Sequence, residues 1–240
     1  MLYPFGHGLS YTTFAYSNLT AEKKVGGVLF RLTVENTGER DGDEVVQLYA
    51  QALTSRVKRP LRQLCAFQRV HVPAGECCPV TLFVPQHALE FYDVTREKMV
   101  MEQGRYAFRV GASSADIRLE LELTLDGETI PSRDLGAPVL CKNYDTKSGI
   151  ATTLQFSKGQ NDWYGCTNDL GGEFVFAQAA FENYTAAELW AAAPCAKATV
   201  RIFAGEQELG SVEIPPSRSP EDFHPYAVRL KAYAAWQICA

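Results

Sequence analysis

Two aromatic stretches in polar surroundings are the residues of this chain best suited to binding chemistry. Trp163 and Tyr164 follow residues 160–162, which carry amide and carboxyl groups, and Phe223 and Tyr226 lie in a second aromatic stretch. Aromatic rings can stack on the flat apolar faces of sugars, while polar neighbours bind the hydroxyl groups at the rim. These four aromatic residues are therefore candidate carbohydrate-binding residues in loops, and packing in a core is the alternative for each.

One cluster of acidic residues contains carboxylates that could act as an acid and a base. Asp41, Asp43 and Glu44 lie within four residues of one another, beside the turn signals Asn36-Thr37-Gly38 and Asp41-Gly42. Hydrolysis of a glycosidic bond needs two carboxyl groups positioned on either side of that bond. A solvated turn capped by its Asp side chains explains this cluster better. We therefore assign no catalytic residue.

Histidine and cysteine are scattered without the spacing of a metal site. The chain has four histidines with no His-x-x-x-His pair, and its seven cysteines include no Cys-x-x-Cys pair. We predict no metal and no cofactor. An odd number of irregularly spaced cysteines favours free thiols in a reducing compartment. Because the N-terminus has no basic head followed by an apolar segment, the expected location is cytoplasmic.

The composition and net charge of the chain indicate which classes of partner are expected. Of 240 residues, 46% are hydrophobic and 21% are charged, which is ordinary for a globular chain, and the net charge is −5. No long basic run suggests nucleic-acid binding. No apolar run approaches the roughly 18 residues that would suggest a membrane-spanning helix. We therefore expect neither nucleic acid nor membrane as a partner.

The first half of the chain has the alternation of β-strands. Apolar and polar residues alternate on both sides of the turn at 36–42, and again between Ile117 and Leu125. Strands are predicted near 25–36, 44–51, 64–72, 78–84, 105–111 and 117–125, with a short turn or strand at 86–92. Seven short strands at regular spacing are typical of a two-sheet sandwich.

Two further segments of this half are not obviously strands. Residues 1–20 are predicted to be an extended lead-in whose aromatic side chains pack against something, namely Phe5, Tyr11, Phe14 and Tyr16. Residues 52–63 form a basic stretch, for which a solvated loop is the preferred interpretation. A contact with a neighbouring domain is the alternative.

A change in composition divides the chain. Glycine and proline interrupt the periodicity over residues 126–138, which we predict to be a linker between domains 1–125 and 139–240. The second half also has strand-like alternation. The alanine content of 186–198 would allow a short helix, but we favour a strand edge around Leu189 and Trp190.

The first 125 residues resemble the fibronectin type III-like domain found at the C-terminal end of family 3 glycoside hydrolases, the β-glucosidase group. The similar segments occur in order and are LYPFGHGLSYT (2–12), NTGERDGDEVVQLY (36–49), RP (59–60), GE (75–76), GRY (104–106) and VGASS (110–114). In the resembling enzymes this domain follows a catalytic barrel and an α/β domain, which carry the catalytic carboxyl groups.

That resemblance implies a non-catalytic C-terminal portion of an exo-acting enzyme of carbohydrate metabolism. Its partners would be the catalytic barrel and α/β domains of the parent enzyme, and Met1 would either begin a fragment or replace an upstream sequence. Alone, it would hydrolyse nothing. The alternative is a purely structural or interaction protein with no sugar site.

The second half resembles a family 6 carbohydrate-binding module, a jelly-roll sandwich. The similar pieces are NYDTKSG (143–149), GEFV (172–175) and LGSVEIP (209–215). The resemblance implies binding of an oligo- or polysaccharide. Three departures weaken the site. Lys142 stands where a calcium-binding Glu is usual, Ala177 lies near the usual position of a binding aromatic, and the chain stops at Ala240 before an expected last strand. The expected fold class is therefore all-β, with two sandwiches in tandem and the second one incomplete.

Overall fold

The computed structural model is built almost entirely of β-strands, which confirms the all-β class. It describes residues 2–157, 160–167, 171–181, 183–220 and 222–232, and within 152–167 it describes the backbone only. The chain divides into two compact units, Met1–Pro131 and Ser132–Ala240. None of the described helices has the length and apolar character needed to cross a membrane.

Nine strands and a short 3-10 helix at Gln86–Leu89 make up the first unit. The strands are β1 (Phe14–Lys24), β2 (Gly27–Asn36), β3 (Gly42–Ala52), β4 (Gln63–Val72), β5 (Cys77–Pro85), β6 (Phe91–Asp93), β7 (Lys98–Val100), β8 (Gly104–Gly111) and β9 (Ile117–Leu125). Six of them correspond to the six strands predicted from alternation. The turn or short strand predicted at 86–92 is the 3-10 helix followed by the start of β6.

The first unit is a sandwich of two antiparallel sheets. One sheet has the strand order β1-β2-β5 and the other has the order β4-β3-β8-β9. Alternate residues of the central strands are buried between them, for example Phe30 and Leu32 of β2 and Leu48 of β3. The rings of Phe30 and Phe108, one from each sheet, lie 4.7 Å apart. The period-two alternation in the sequence therefore supplies one apolar face per sheet.

Strand β1 is the main difference from the predicted lead-in. From Phe14 onward this segment pairs with β2, and only residues 2–13 precede the strand. A register shift between Ser17 and Thr20 breaks the two-residue period, so alternation does not reveal the strand. Phe14 and Tyr16 pack against the core, as expected, whereas Phe5 and Tyr11 are exposed in this unit.

The described strands of the second unit pair two by two. They are β10 (Arg133–Asp134), β11 (Thr146–Ser148), β12 (Ala151–Ser157), β13 (Gln160–Thr167), β14 (Glu173–Val175), β15 (Ala179–Ala180), β16 (Ala186–Ala191), β17 (Ala198–Ala204), β18 (Gln207–Ile214) and β19 (His224–Arg229), with a 3-10 helix at Cys141–Asn143. The pairs are β10 with β15, β11 with β14, β12 with β13, β16 with β19, and β17 with β18. The strand predicted around Leu189 and Trp190 is confirmed as β16.

Candidate functional site

The N-terminal segment, residues 2–11, is fastened to the first unit through its backbone. Gln47 of β3 donates from Nε2 to the carbonyl oxygens of Gly6, at 3.0 Å, and Ala112, at 2.6 Å. The backbone N–H of Ser114 donates to the carbonyl of Phe5 at 2.9 Å. The Tyr49 hydroxyl donates to Gln47 Oε1 and so holds the amide in this orientation. Because these contacts use the backbone, they leave the side chains of the segment available.

Glycine at position 6 is required for this attachment. Its φ is +76°, in the left-handed region that favours glycine, and a Cβ there would lie 1.9 Å from Gln47 Oε1. Gly8, two residues later, has no heavy atom within 4 Å of its would-be Cβ. The two glycines of the LYPFGHGLSYT motif therefore have different roles, and only Gly6 is needed for the close approach to β3.

The side chains of the N-terminal segment form an exposed apolar surface. Leu9 is 95% exposed, Tyr11 94% and Phe5 62%, and Phe5 lines a groove together with Leu61, itself 75% exposed. The polar side chains beside Phe5 and Leu61 are already engaged. Arg109 makes a two-point ion pair with Glu120, at 3.0 and 3.1 Å, and donates to Gln51 at 2.6 Å. We call residues 2–11 together with Leu61 the apolar surface of the first unit.

The basic stretch 52–63 is not the solvated loop that was expected. Arg56 is buried and donates to Asp93 Oδ1 at 3.1 Å, with side-chain exposures of 2% and 0%. Arg59 donates to the carbonyl of Leu89 at 3.0 Å and lies 4.5 Å from the ring centroid of Phe91. The stretch is therefore only partly solvated. Arg56 and Arg59 are packed onto β6 and its surroundings, because a buried carboxylate there requires a cationic partner, whereas Lys58, Leu61 and Arg62 are exposed.

The acidic cluster near the first turn is also different from the expectation. Glu44 is buried, not solvated, and its Oε1 accepts hydrogen bonds from the Tyr16 hydroxyl at 2.7 Å and from Arg118 at 3.1 Å. Asp43 is exposed and contacts both His71 and Arg69, whose hydrogen bonds lower its pKa. A general acid needs a raised pKa, so Asp43 has the opposite character. Both side chains serve ion pairs and do not form a free carboxylate pair.

In the second unit, Trp163 and Tyr164 are in a strand and not in the predicted loop. Both belong to β13, where Trp163 lies opposite Gln155 of β12 and Tyr164 opposite Leu154. The neighbouring amide side chains of Gln160 and Asn161 suggested a loop. The preference of the aromatic residues for β-strands outweighs that tendency here. The side chains of these two candidates lie outside the described residues, so their role as sugar ligands stays a prediction.

Phe223 and Tyr226 lie at the start of β19. Tyr226 is half-buried and lies opposite Leu189 of β16, on the same side of the strand as the buried Val228. Phe223 immediately precedes the strand and is also half-buried. The stretch predicted as a loop is therefore largely a strand, and Tyr226 belongs to its packed side, because alternation with Val228 places both on one face.

Arg133 organises the start of the second unit. Although it lies within the predicted linker, Arg133 belongs to β10 and its side chain is only 2% exposed. It donates to the carbonyl of Asn143 and to Asp145 Oδ2, each at 2.9 Å, and Ala177 N–H donates to the same Asp145 oxygen at 2.7 Å. These oxygens already serve a guanidinium, so the set does not fit a calcium ion, which needs several free oxygen ligands. Among the described residues, no three His, Cys, Asp or Glu side chains converge as metal ligands.

One aromatic residue that the sequence reasoning passed over is conspicuous in the structure. Trp190 of β16 is 60% exposed, and its indole N–H donates to Glu188 Oε1 at 3.1 Å. From the sequence, Trp190 was expected only to lie at a strand edge. The sequence does carry one signal for this pair: Glu188 and Trp190 are two residues apart, which places both side chains on the same face of a strand.

Comparison with known proteins finds a family match within the first unit. Residues 44–114 match the family described as a fibronectin type III-like domain. The chain is 42% identical over 122 residues to a probable β-glucosidase K of Emericella nidulans, covering 50% of this chain and 14% of that protein. It is 37% identical over 127 residues to a xylan 1,4-β-xylosidase of Xylanibacter ruminicola, covering 52% and 15%.

Solved structures agree with these relatives. The GH3 β-glucosidase of Bifidobacterium adolescentis matches with a TM-score of 0.51 at 34% identity, over 54% of this chain and 19% of that chain. The β-glucosidase of Kluyveromyces marxianus matches with a TM-score of 0.50 at 35% identity, over 52% and 15%. This chain therefore spans less than a fifth of each of these four proteins. Residues 44–114 thus match the fibronectin type III-like domain family, and about half of the chain is similar to a minor part of much larger β-glucosidases and a β-xylosidase.

Proposed function

We propose that the first unit is a non-catalytic C-terminal domain of a β-glucosidase-like enzyme, and that it braces the catalytic domains of that enzyme. The observation that carries this proposal is the apolar surface, residues 2–11 with Leu61, held in place by hydrogen bonds from Gln47 and Ser114. Because the backbone is fixed, a partner would not have to order the segment on binding.

The chemistry of the apolar surface fits a domain interface. Exposed leucines and aromatic rings lose their contact with water when a partner covers them, and this is the main favourable contribution to association. The neighbouring Arg109 is already paired with Glu120, so covering this region would leave few charges without a partner. The relatives are several times larger than the matched part, and catalytic domains are therefore the natural occupant of this surface.

Co-purification tests this proposal. The Bifidobacterium adolescentis enzyme, with the matching 19% deleted and an affinity tag added, would be co-expressed with this chain. We expect the tagged catalytic part to be recovered in soluble form together with the chain. The double variant Leu9→Ser, Tyr11→Ser should reduce recovery by roughly tenfold, since it removes two of the most exposed apolar side chains of the surface.

Val25→Ser is the matched control. Val25 is as exposed as Leu9 but lies in the turn between β1 and β2, outside the apolar surface, so its replacement should leave recovery unchanged. Equal recovery with all three forms of the chain would show that the apolar surface is not the contact. Failure of the unaltered chain to co-purify would contradict the bracing function itself.

A second function, carbohydrate binding by the second unit, is favoured by its aromatic residues and by the resemblance to family 6 modules. Trp163, Tyr164, Phe223 and Tyr226 are the candidate ligands drawn from the sequence. Isothermal titration with oligosaccharides tests it. If Trp163 provides the platform, Trp163→Ala should weaken binding by about 1–3 kcal/mol, by analogy with stacking on nucleic-acid bases. Absence of heat with all sugars would favour the alternative, a structural protein without a sugar site.

A further inference from the structure

The pair β16–β19 presents two unlike faces. On one side lie the buried Val228, which is 2% exposed, and the half-buried Leu189 and Tyr226. On the other side, exposed residues alternate along both strands, among them Trp190 on β16 and Pro225 directly opposite it on β19. We call this second side the outer face. Alternation therefore places Trp190 on the solvent side of the pair.

The indole ring of Trp190 is exposed to solvent, and a hydrogen bond to Glu188 restrains it. It is 60% exposed, and its N–H donates to Glu188 Oε1 at 3.1 Å, which restricts rotation of the ring. Tryptophan is highly buried on average, so an exposed ring with its polar atom satisfied inside the protein needs an explanation. A ring that is already oriented loses little conformational freedom when a ligand stacks on it.

The surroundings of the ring leave room for a flat ligand. Pro225 is its cross-strand neighbour, and Ala227, opposite Glu188, is the next residue on that face of β19. Neither side chain is long enough to fold over the indole. Beside the ring is a carboxylate, Glu188, whereas the exposed Arg229 lies on the same face but four residues further along β19, opposite Ala186. The outer face thus combines a flat apolar centre with a hydrogen-bond acceptor beside it.

This combination matches one class of ligand closely. A pyranose ring has a face of C–H groups, which complement the electron-rich face of an indole, and hydroxyl groups around its rim that need both acceptors and donors. A protein partner would more commonly cover a larger apolar area than one ring flanked by proline and alanine. The outer face is therefore better suited to a single sugar unit than to another folded chain.

We infer that Trp190 is a stacking platform for one pyranose unit of a β-linked oligosaccharide, with Glu188 orienting the ring and binding a hydroxyl group. The inference rests on the proposed carbohydrate binding of the second unit and moves its centre to residues outside the four sequence candidates. A site with one platform binds weakly, so we expect a dissociation constant on the order of millimolar.

Titration of the full chain with cellotetraose and with xylotetraose tests the inference. We expect the NMR signal of the Trp190 indole N–H to shift on addition of at least one of the two sugars. Trp190→Ala should weaken binding by at least about tenfold, and Glu188→Gln by a smaller factor, since an amide can still accept a hydrogen bond. Phe203→Ala is the matched control because Phe203 is also exposed, at 52%, but belongs to a different strand pair.

The possible failures are distinguishable. Binding that is unchanged in Trp190→Ala, with no shift of the indole signal, would overturn this inference and leave the proposed carbohydrate binding intact. No binding of either sugar to the unaltered chain would contradict both. A change in oligomeric state of Trp190→Ala, measured by size-exclusion chromatography with light scattering, would instead identify the outer face as a contact between chains and overturn the inference.

Discussion

Arg56 and Asp93 show how charged residues of this chain are used inside the fold. The two side chains are almost inaccessible to water, and Asp93 also accepts hydrogen bonds from Thr95 at 2.7 Å and from Arg96 at 2.7 Å. Burial alone would raise the pKa of Asp93, but the hydrogen bonds from Thr95 and Arg96 and the charge of Arg56 outweigh it and lower that pKa. A buried pair of this kind is costly to break, since removal of one partner leaves the other charge uncompensated.

Asp93→Asn should therefore destabilise the first unit and flatten its response to acid. Because the pKa of Asp93 is lower in the folded state, its stabilising contribution is fully present above the unfolded pKa, about 3.9, and is lost as pH falls through the folded value. We expect a loss of about 3–5 kcal/mol in the free energy of unfolding at pH 7. Urea denaturation between pH 2 and pH 7 measures both effects.

Asp126→Asn is the control for this prediction. The Asp126 side chain is 94% exposed and forms an ion pair with Lys23 at 3.4 Å, so its replacement should leave the stability at pH 7 nearly unchanged. A variant Asp93→Asn as stable as Asp126→Asn at pH 7 would show that the buried charge cluster contributes nothing.

Among the elements, the N-terminal segment depends most on a single backbone position. Gly6 allows the chain to turn with φ of +76° against Gln47, and the exposed apolar side chains follow from that attachment. The start of strand β1 is also held by a hydrogen bond to its backbone. Arg118 of β9 donates to the carbonyl of Phe14 at 3.0 Å and so links the two sheets at one edge of the sandwich. Side chains of the sheet β4-β3-β8-β9 therefore hold the lead-in at Gly6 and at Phe14.

Gly6→Ala should release the N-terminal segment, whereas Gly8→Ala should not. The alanine at position 6 would cost about 1–3 kcal/mol for its left-handed conformation, besides the overlap with Gln47. Limited proteolysis followed by mass spectrometry measures the outcome. We expect cleavage within residues 2–11 to be several times faster in Gly6→Ala than in the unaltered chain or in Gly8→Ala. Equal cleavage rates in the two variants would contradict the attachment that Gly6 provides.

At the scale of the whole molecule, the two units differ in the size of the core that the structure describes. Apart from Ile214, the largest fully buried side chains among the described residues all belong to the first unit. The described strands of the second unit form pairs, whereas the first unit has sheets of three and four strands. Isolated two-stranded pairs are marginal in water, so the second unit has less to hold each pair in place.

Hydrogen exchange should reflect this difference. We expect the amides of β17 and β18 to exchange at least about tenfold faster than those of β8 and the paired part of β9, because local opening is easier where fewer apolar contacts are lost. The measurement is made by mass spectrometry on the full chain under native conditions. Equal protection of residues 199–214 and 117–125 would show that the second unit is as stable as the first.

The chain alone should have no glycosidase activity. In the acidic cluster, Glu44 pairs with Arg118 and Asp43 with Arg69, while Asp41 accepts a hydrogen bond from the Ala74 backbone N–H, so these carboxylates do not form the pair needed for glycoside hydrolysis. We expect no turnover of an aryl β-glucoside above the background of a mock purification. Turnover that persists through repurification and disappears on replacement of one acidic residue would contradict the accessory role.

The sequence by itself determined six of the nine strands of the first unit and the all-β class. Alternation is a local property of the chain, and the turn residues between 36 and 42 place the strand ends within about two residues. It did not determine how deeply each strand is buried. Leu121 alternates as regularly as Leu32 does, yet it is only partly buried because β9 is the edge strand of its sheet.

Only the tertiary structure decided which charges and which aromatic rings face water. Arg56 and Glu44 occur in stretches whose sequence is typical of polar loops or turns, yet both are buried. Arg56 pairs with the distant Asp93, and Glu44 accepts hydrogen bonds from Tyr16 and Arg118. The exposure of Trp190 depends on strand β19, which places Pro225 opposite Trp190 and Ala227 opposite Glu188, and the sequence alone does not specify that pairing. Burial and pairing across strands are long-range properties, and a pattern of period two specifies which residues share a face but not what covers that face.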